Sequence, residues 1–167
     1  VGAGLPAPGP THETAQKVSR ACRVVYVDND PLVLAHGRAL MTARPGAGTC
    51  AWVDGDVRDP AALLERAGAV LDFTKPVAVL LTHGHIDHMF SVLPVCGTYD
   101  ATAWIHPDDR HLLADPMAGI SPETARMLLG GKHEFAEPDD VAELKDGLSL
   151  ELAGLTCTVD HTPGHTR

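Results

Sequence analysis

The chain has 167 residues, enough for one domain with a hydrophobic core, and its 44% hydrophobic and 21% charged residues are typical of a soluble globular protein. No stretch approaches the ~18 consecutive apolar residues of a transmembrane helix, so a membrane partner is not expected. The net charge of −9 argues against nucleic acid as the main partner, because phosphate binding needs a basic surface, and a small-molecule substrate is expected instead.

The first half of the sequence alternates between strand-like and helix-like patterns. Three apolar runs are typical of strands: residues 23–28 (RVVYVD), 49–56 (TCAWVDGD) and 75–83 (KPVAVLLTH). Asp30-Pro31 and Asp59-Pro60 follow the first two runs and suit a helix N-cap and first helical residue. The alternation predicts an α/β protein with a mainly parallel sheet, in which these three strands can lie parallel.

The pattern changes after residue 83. Residues 102–106 (TAWIH) are predicted to form a short strand, and Pro107 to Leu113 a short helix. Residues 148–159 (LSLELAGLTCTV) alternate in the manner of a hairpin.

The cysteines and the N-terminal residues bear on the compartment. The four cysteines are widely spaced with no CxxC pair, which argues against a cysteine zinc site and against a disulfide framework. The opening VGAGLPAPGP lacks the basic start and long apolar stretch of a secretory signal. A cytoplasmic location is therefore expected.

The most informative stretch is LLTHGHIDHMFS, residues 80–91. His83 and His85, two residues apart at the end of a predicted strand, can point the same way, while Asp87 and His88 fall on the next turn. Neutral imidazoles and a carboxylate suit zinc, and two such pairs suit two ions roughly 3.5–4 Å apart. The cluster predicts a site for one or two zinc ions; the alternative is a set of scattered surface histidines.

Together with DHTPGHT at residues 160–166, this cluster resembles the metallo-β-lactamase-fold hydrolases, most closely the glyoxalase II-like branch. The resemblance implies His83, His85 and His165 as ligands of one metal, and Asp87 and His88 as ligands of a second. It also implies hydrolysis of a thioester or other ester by metal-bound hydroxide, with Asp87 as the candidate catalytic side chain.

The sequence also departs from that family. A further bridging aspartate and a final histidine are expected after PGHT, and the family's opening β-strands are expected before the cluster, but neither is found. Impaired activity is therefore expected. His161 matches no family ligand, and a supporting or structural role is expected for it.

A different resemblance covers the residues before the cluster. GAG at residues 2–4, followed by a strand ending in Asp28, has the layout of a Rossmann-type nucleotide site. With GLPAPGPTHETAQ and DGDVRDP, residues 1 to about 81 resemble S-adenosylmethionine-dependent methyltransferase-like proteins. The resemblance implies that Gly2 and Gly4 line the methionine end of the cofactor, that Asp28 holds the ribose, and that Asp56 and Val57 meet the adenine.

Two other expectations concern this cofactor. Taken without the resemblance, Asp28 and Asp56 are more simply interpreted as solvated caps that end strands. The strand that should support the GAG loop is not found before Val1, so S-adenosylmethionine is expected to bind weakly or not at all.

The chain thus resembles two family fragments joined within KPVAVLL: a Rossmann-like fragment, residues 1–76, and a metallo-β-lactamase-like fragment, residues 77–167. One compact unit is expected. The predicted fold class is α/β, with Rossmann-like βα units leading into a partial metallo-β-lactamase-type αβ sandwich. The predicted function is a zinc-dependent thioester hydrolase; the alternatives are an S-adenosylmethionine-binding module and a catalytically silent chimera.

The remaining histidines lie in no recognisable metal-binding or catalytic motif, and a surface or core role is expected for each of them: His12, His36, His106, His111 and His133. No serine lies in a GxSxG motif, which argues against a serine hydrolase. Asp108 and Asp109 are interpreted as part of a helix start.

Overall fold

Helices and strands alternate as far as β3 in the computed structural model, which describes residues 1–118, 120–129, 135–152 and 154–166. The α-helices are α1 (Thr11–Val18), α2 (Pro31–Leu40), α3 (Pro60–Gly68), α4 (Ile86–Met89), α5 (Val92–Tyr99) and α6 (Pro122–Leu129), with a 3-10 helix at Pro107–Leu113. The strands are β1 (Val24–Asp28), β2 (Cys50–Asp54), β3 (Val79–Leu80), β4 (Ala103–Ile105), β5 (Val141–Glu143), β6 (Ser149–Leu152) and β7 (Leu155–Thr158). His133 lies outside the described residues.

Two βα units form the first part of the chain, and they confirm the predicted strands and helix starts there. β1 and β2 pair in parallel, and each is followed by a helix. The Asp30 carboxylate accepts a hydrogen bond from the amide of Leu32 at 2.7 Å, and Asp59 accepts one from Ala62 at 3.1 Å. Each bond satisfies an amide that the first turn of a helix leaves unpaired.

The side chains between these elements pack as the periodicity requires. Val27 of β1, Leu34 of α2 and Leu63 of α3 are all buried. His12 is also buried, at 2% exposure, and its Nδ1 lies 3.0 Å from the Tyr26 hydroxyl. This histidine has the core role that sequence analysis allowed, with its polar atom hydrogen-bonded as burial demands.

The third predicted strand differs from its prediction in length and in partner. Of residues 75–83 only Val79–Leu80 are strand, and β3 pairs in parallel with β4 in a separate sheet of order β3-β4-β5. It therefore does not join β1 and β2. Pro76 cannot donate to a strand ladder, and the chain leaves the sheet after Leu81 to form the histidine loop, so few residues remain for pairing.

A hydrophobic cluster lies beneath the β3-β4-β5 sheet. Its buried members are Leu81, Met89, Val92, Cys96, Ala103, Ile105 and Leu113. β6 and β7 pair antiparallel, which confirms the predicted hairpin. The helices α4, α5 and α6 and the strand β5 were not predicted.

The structure divides the chain into two compact units, Val1–Lys75 and Pro76–Arg167, where sequence analysis expected one. Among the described residues, no helix has the length and apolar character needed to cross a membrane.

Candidate metal centre

Three of the predicted ligands come together in the second unit. The imidazole rings of His83, His85 and His165 have centroids 4.6 to 4.7 Å apart, and each ring meets the others edge to face. Nδ1 of His85 lies 3.1 Å from Nε2 of His165. One nitrogen from each ring lies within 4.8 Å of the others, so the three residues present converging donor atoms.

The loop between β3 and α4 positions two of these rings. His85 precedes α4, and His88 donates its amide hydrogen to the His85 carbonyl at 2.9 Å. Ile86 and Met89, the first and last residues of α4, are buried at 5% and 3% exposure and hold this helix in place beside the loop. His165 lies in the segment after β7. It is so far from His83 and His85 in sequence that residue spacing does not predict their proximity.

The three nitrogens fit a zinc ion in number and type, and one pair of them fits in spacing. Zinc binds imidazole nitrogen at ~2.0–2.1 Å in tetrahedral sites, which places two bound nitrogens roughly 3.3 Å apart. The His85–His165 separation of 3.1 Å is close to that spacing. Two ring nitrogens this close must either form an N–H···N hydrogen bond or bind the same cation.

Asp87 and His88, predicted as ligands of a second metal, lie beside this group but outside it. The Asp87 carboxylate is 73% exposed and lies 3.6 Å from Nε2 of His88, and the His88 ring centroid is 4.1 Å from that of His83. The structure therefore brings all five predicted ligands to one region, but only the three histidines converge as a set.

Burial favours the neutral form of two of the imidazoles. It lowers the pKa of His83 below its ordinary value, and the neighbouring His88 and His85 lower that pKa further. Burial also lowers the pKa of His88, against an opposing effect of Asp87. A neutral imidazole keeps the lone pair that metal binding requires.

Three residues near the centre were missed by sequence reasoning or given another role. The Thr82 hydroxyl lies 3.0 Å from Nδ1 of His83 and so engages the ring nitrogen on one side. Asp109, interpreted as part of a helix start, is buried and accepts a hydrogen bond from the amide of Gly84 at 2.8 Å. His106 stacks on His161, with centroids 4.1 Å apart and an interplanar angle of 17°. The Gly84–Asp109 and His106–His161 contacts each join distant segments, so no local sequence signal indicates them. The Thr82 contact is with the adjacent residue.

In the first unit, the predicted cofactor residues lie at the carboxyl ends of β1 and β2. Gly2 and Gly4 both have positive φ, 63° and 66°, a conformation that favours glycine. The Gly4 amide donates to Oδ2 of Asp28 at 2.9 Å, and the Ala3 amide donates to the Val27 carbonyl at 3.1 Å. The GAG loop, for which sequence analysis found no supporting strand, is thus hydrogen-bonded to β1 at two points.

The loop after β2 lies at the same edge of that sheet. Gly55 donates its amide hydrogen to the Asp28 carbonyl at 3.1 Å, which places Asp56 and Val57 just beyond the end of β1. The Asp56 carboxylate accepts hydrogen bonds from the amide and from Nε of Arg58, both at 2.9 Å. Asp56 is therefore engaged by its own loop, as a residue that caps a turn would be.

Comparison with protein families gives two matches. Residues 1–91 match the family model described as S-adenosyl methyltransferase, and residues 70–167 match that of the metallo-beta-lactamase superfamily. Each match covers more than half of the chain, and the two overlap at residues 70–91.

Individual relatives share only part of their length with this chain. An uncharacterized protein of Mycobacterium leprae (strain TN) is 53% identical over 55% of this chain and 42% of its own length. The probable metallo-hydrolase YqgX of Bacillus subtilis (strain 168) is 31% identical over 54% of this chain and 40% of its own. A solved DUF574 family protein from Streptomyces avermitilis is 43% identical, with a TM-score of 0.43, over 48% of this chain and 31% of its own. The chain spans less than half the length of these curated relatives.

Proposed function

Because the chain belongs to the S-adenosyl methyltransferase family over residues 1–91 and to the metallo-beta-lactamase superfamily over residues 70–167, we propose that its second unit is a zinc-dependent hydrolase of thioester or other ester bonds. The convergence of His83, His85 and His165 is the observation that carries this proposal. Three imidazoles are a donor set of catalytic zinc sites, because they leave a fourth position open for water or substrate.

Each side chain has a distinct role in this proposal. The three histidines hold the ion through ring nitrogens, and the Thr82 hydroxyl at Nδ1 of His83 leaves Nε2 of that ring for the ion. Bound zinc would acidify a water molecule to a pKa of ~7 and polarise the substrate carbonyl. In this proposal the exposed carboxylate of Asp87 would take up the proton of that water, and with His88 it would offer a second, weaker metal position.

The choice of substrate rests on the motifs THGHIDH and PGHT, which resemble the glyoxalase II-like branch. The hydrolase class is also supported by the name of the Bacillus subtilis relative, a probable metallo-hydrolase. The partner is then a small molecule with an activated acyl bond. We also propose a cytoplasmic location, which the four free cysteines support because thiols persist in a reducing compartment.

The decisive experiment is metal analysis of untagged protein, followed by hydrolysis of a glutathione thioester. We expect close to one zinc per chain, and His85→Ala should lose both the zinc and the hydrolysis. His111→Ala, which removes an exposed histidine of the 3-10 helix, is the matched control and should retain both. Metal-free protein, or unchanged zinc in His85→Ala, would refute the proposed site.

A second function is supported in the first unit by the bonds that fix the GAG loop. We propose that this unit binds S-adenosylmethionine, with Asp28 accepting hydrogen bonds from the ribose hydroxyls. The Gly4 and Asp30 amides each bond one oxygen of the Asp28 carboxylate and so fix its orientation. A carboxylate oxygen has a further lone pair, which remains for a ligand.

Calorimetric titration tests this cofactor site. A hydrogen bond to a charged group contributes roughly 1.5–3 kcal/mol, so Asp28→Ala should weaken binding of S-adenosylmethionine by about tenfold or more. Asp54, which pairs in register with Asp28 at the end of β2, provides the control, and Asp54→Ala should bind normally. Equal affinity in the two variants would remove Asp28 from the site.

A further inference from the structure

The peptide between the two loop histidines is fixed by a distant acidic residue. Gly84 lies between His83 and His85, outside any helix or strand, so no regular backbone pairing sets its orientation. Its amide instead donates to Oδ2 of Asp109 at 2.8 Å, in a buried hydrogen bond. Rotation of this peptide would move both flanking histidines, so the bond controls the direction of two proposed ligands at once.

Asp109 is well placed to act as a fixed acceptor. It is 4% exposed, and its own amide donates to the His106 carbonyl at 3.0 Å at the start of the 3-10 helix. Leu113 of the same helix is 2% exposed and belongs to the hydrophobic cluster below the sheet. The Asp109 carboxylate is thus carried by a helix that packs into the core of the unit, and its position is fixed by that packing.

Close packing supports the same contact. A Cβ atom built on Gly84 would lie 3.1 Å from the Cβ atoms of both Asp109 and Leu112, and 2.5 Å from Cδ1 of Leu112. Any larger residue here would have to displace the end of the Leu112 side chain and push the loop backbone away from the 3-10 helix. Hydrogen bond and contact together hold the loop against one rigid element.

We propose that Asp109 is a positioning residue of the metal centre: through the Gly84 amide it sets the geometry in which His83 and His85 meet His165. The inference rests on the proposed metal site. Burying a carboxylate is costly, and the charge-assisted bond to the amide offsets that cost. Residues that orient metal ligands without touching the metal commonly change metal affinity by about 10- to 100-fold when they are replaced.

The test compares zinc affinity, measured by chelator competition, and the absorption spectrum of the cobalt-substituted protein in four variants. Asp109→Ala and the near-isosteric Asp109→Leu both remove the acceptor, and each should lower zinc affinity by about 10- to 100-fold and alter the cobalt spectrum. Asp109→Asn keeps an oxygen acceptor and should recover most of the affinity and the original spectrum. Asp108→Ala, an exposed neighbour on the same helix, should behave as the unmodified chain.

Each other outcome has a definite meaning. Zinc affinity in Asp109→Ala equal to that of the unmodified chain would overturn the positioning role and leave the metal site intact. Failure of both Asp109→Ala and Asp109→Leu to fold in the absence of metal would also overturn it, because the residue would then support the whole unit. Absence of zinc binding in the unmodified chain would refute the proposed metal site itself.

Discussion

At the scale of single residues, His161 and His165 stand close together in DHTPGHT but lie in different surroundings. His165 meets His83 and His85, whereas the His161 ring stacks on His106 and its amide donates to Asp146 at 3.0 Å. We predict that His165→Ala lowers zinc affinity by about 100-fold or more, since it removes one of three nitrogen ligands. His161→Ala should change zinc affinity by less than about threefold, a difference within the ordinary effect of a surface substitution.

Zinc competition with a chromophoric chelator measures both variants under the same conditions. The His161 variant serves as the control, because it removes a histidine of the same motif. A larger loss in His161→Ala than in His165→Ala would reverse the assignment of the third ligand and assign that role to the other histidine of the motif.

At the scale of elements, two helical glycines have opposite surroundings. Gly37 lies in α2 with the Trp52 ring so close that a Cβ atom would overlap it, while Gly97 lies in α5 with open space around its missing Cβ. Trp52 cannot easily move, since its ring stacks on Tyr26 at a centroid distance of 4.9 Å. We predict that Gly37→Ala destabilises the protein by about 1–3 kcal/mol, despite the higher helix propensity of alanine.

Gly97→Ala provides the opposite expectation. With nothing within 4 Å of the added methyl group, the gain in helix propensity should stabilise the protein by about 0.5–1 kcal/mol. Urea denaturation followed by circular dichroism measures both changes. Destabilisation by both alanines to a similar extent would show that the packing around Trp52 is not what distinguishes the two positions.

The elements that sequence predicted correctly are those whose signals are local. Asp30-Pro31 and Asp59-Pro60 indicate helix starts through capping chemistry within three residues, and both caps form. The strand at 75–83 was too long because its limits depend on where β4 lies beside it, which the run KPVAVLLTH does not contain. The histidines could be recognised from spacing, but the bond from Gly84 to Asp109 spans 25 residues and could not.

At the scale of the whole molecule, the chain joins segments of two families within a region that both match. Residues 70–91 are common to the two matches, and the division into two compact units falls within this region, between Lys75 and Pro76. The two proposed sites consequently belong to different units, the cofactor site to the first and the metal site to the second.

This division leads to a prediction about ligand-induced stability. A ligand that binds only the folded state stabilises the unit that holds its site, by roughly 2.7 kcal/mol at a free concentration of 100 times the dissociation constant. A change of 1 kcal/mol moves the midpoint of a 60–100-residue unit by roughly 4–8 °C. Zinc and excess S-adenosylmethionine should therefore each raise a thermal transition. His85→Ala should abolish the zinc effect alone, and Asp28→Ala the cofactor effect alone, in calorimetric scans. Loss of both effects in either variant would contradict the assignment of the two sites to separate units.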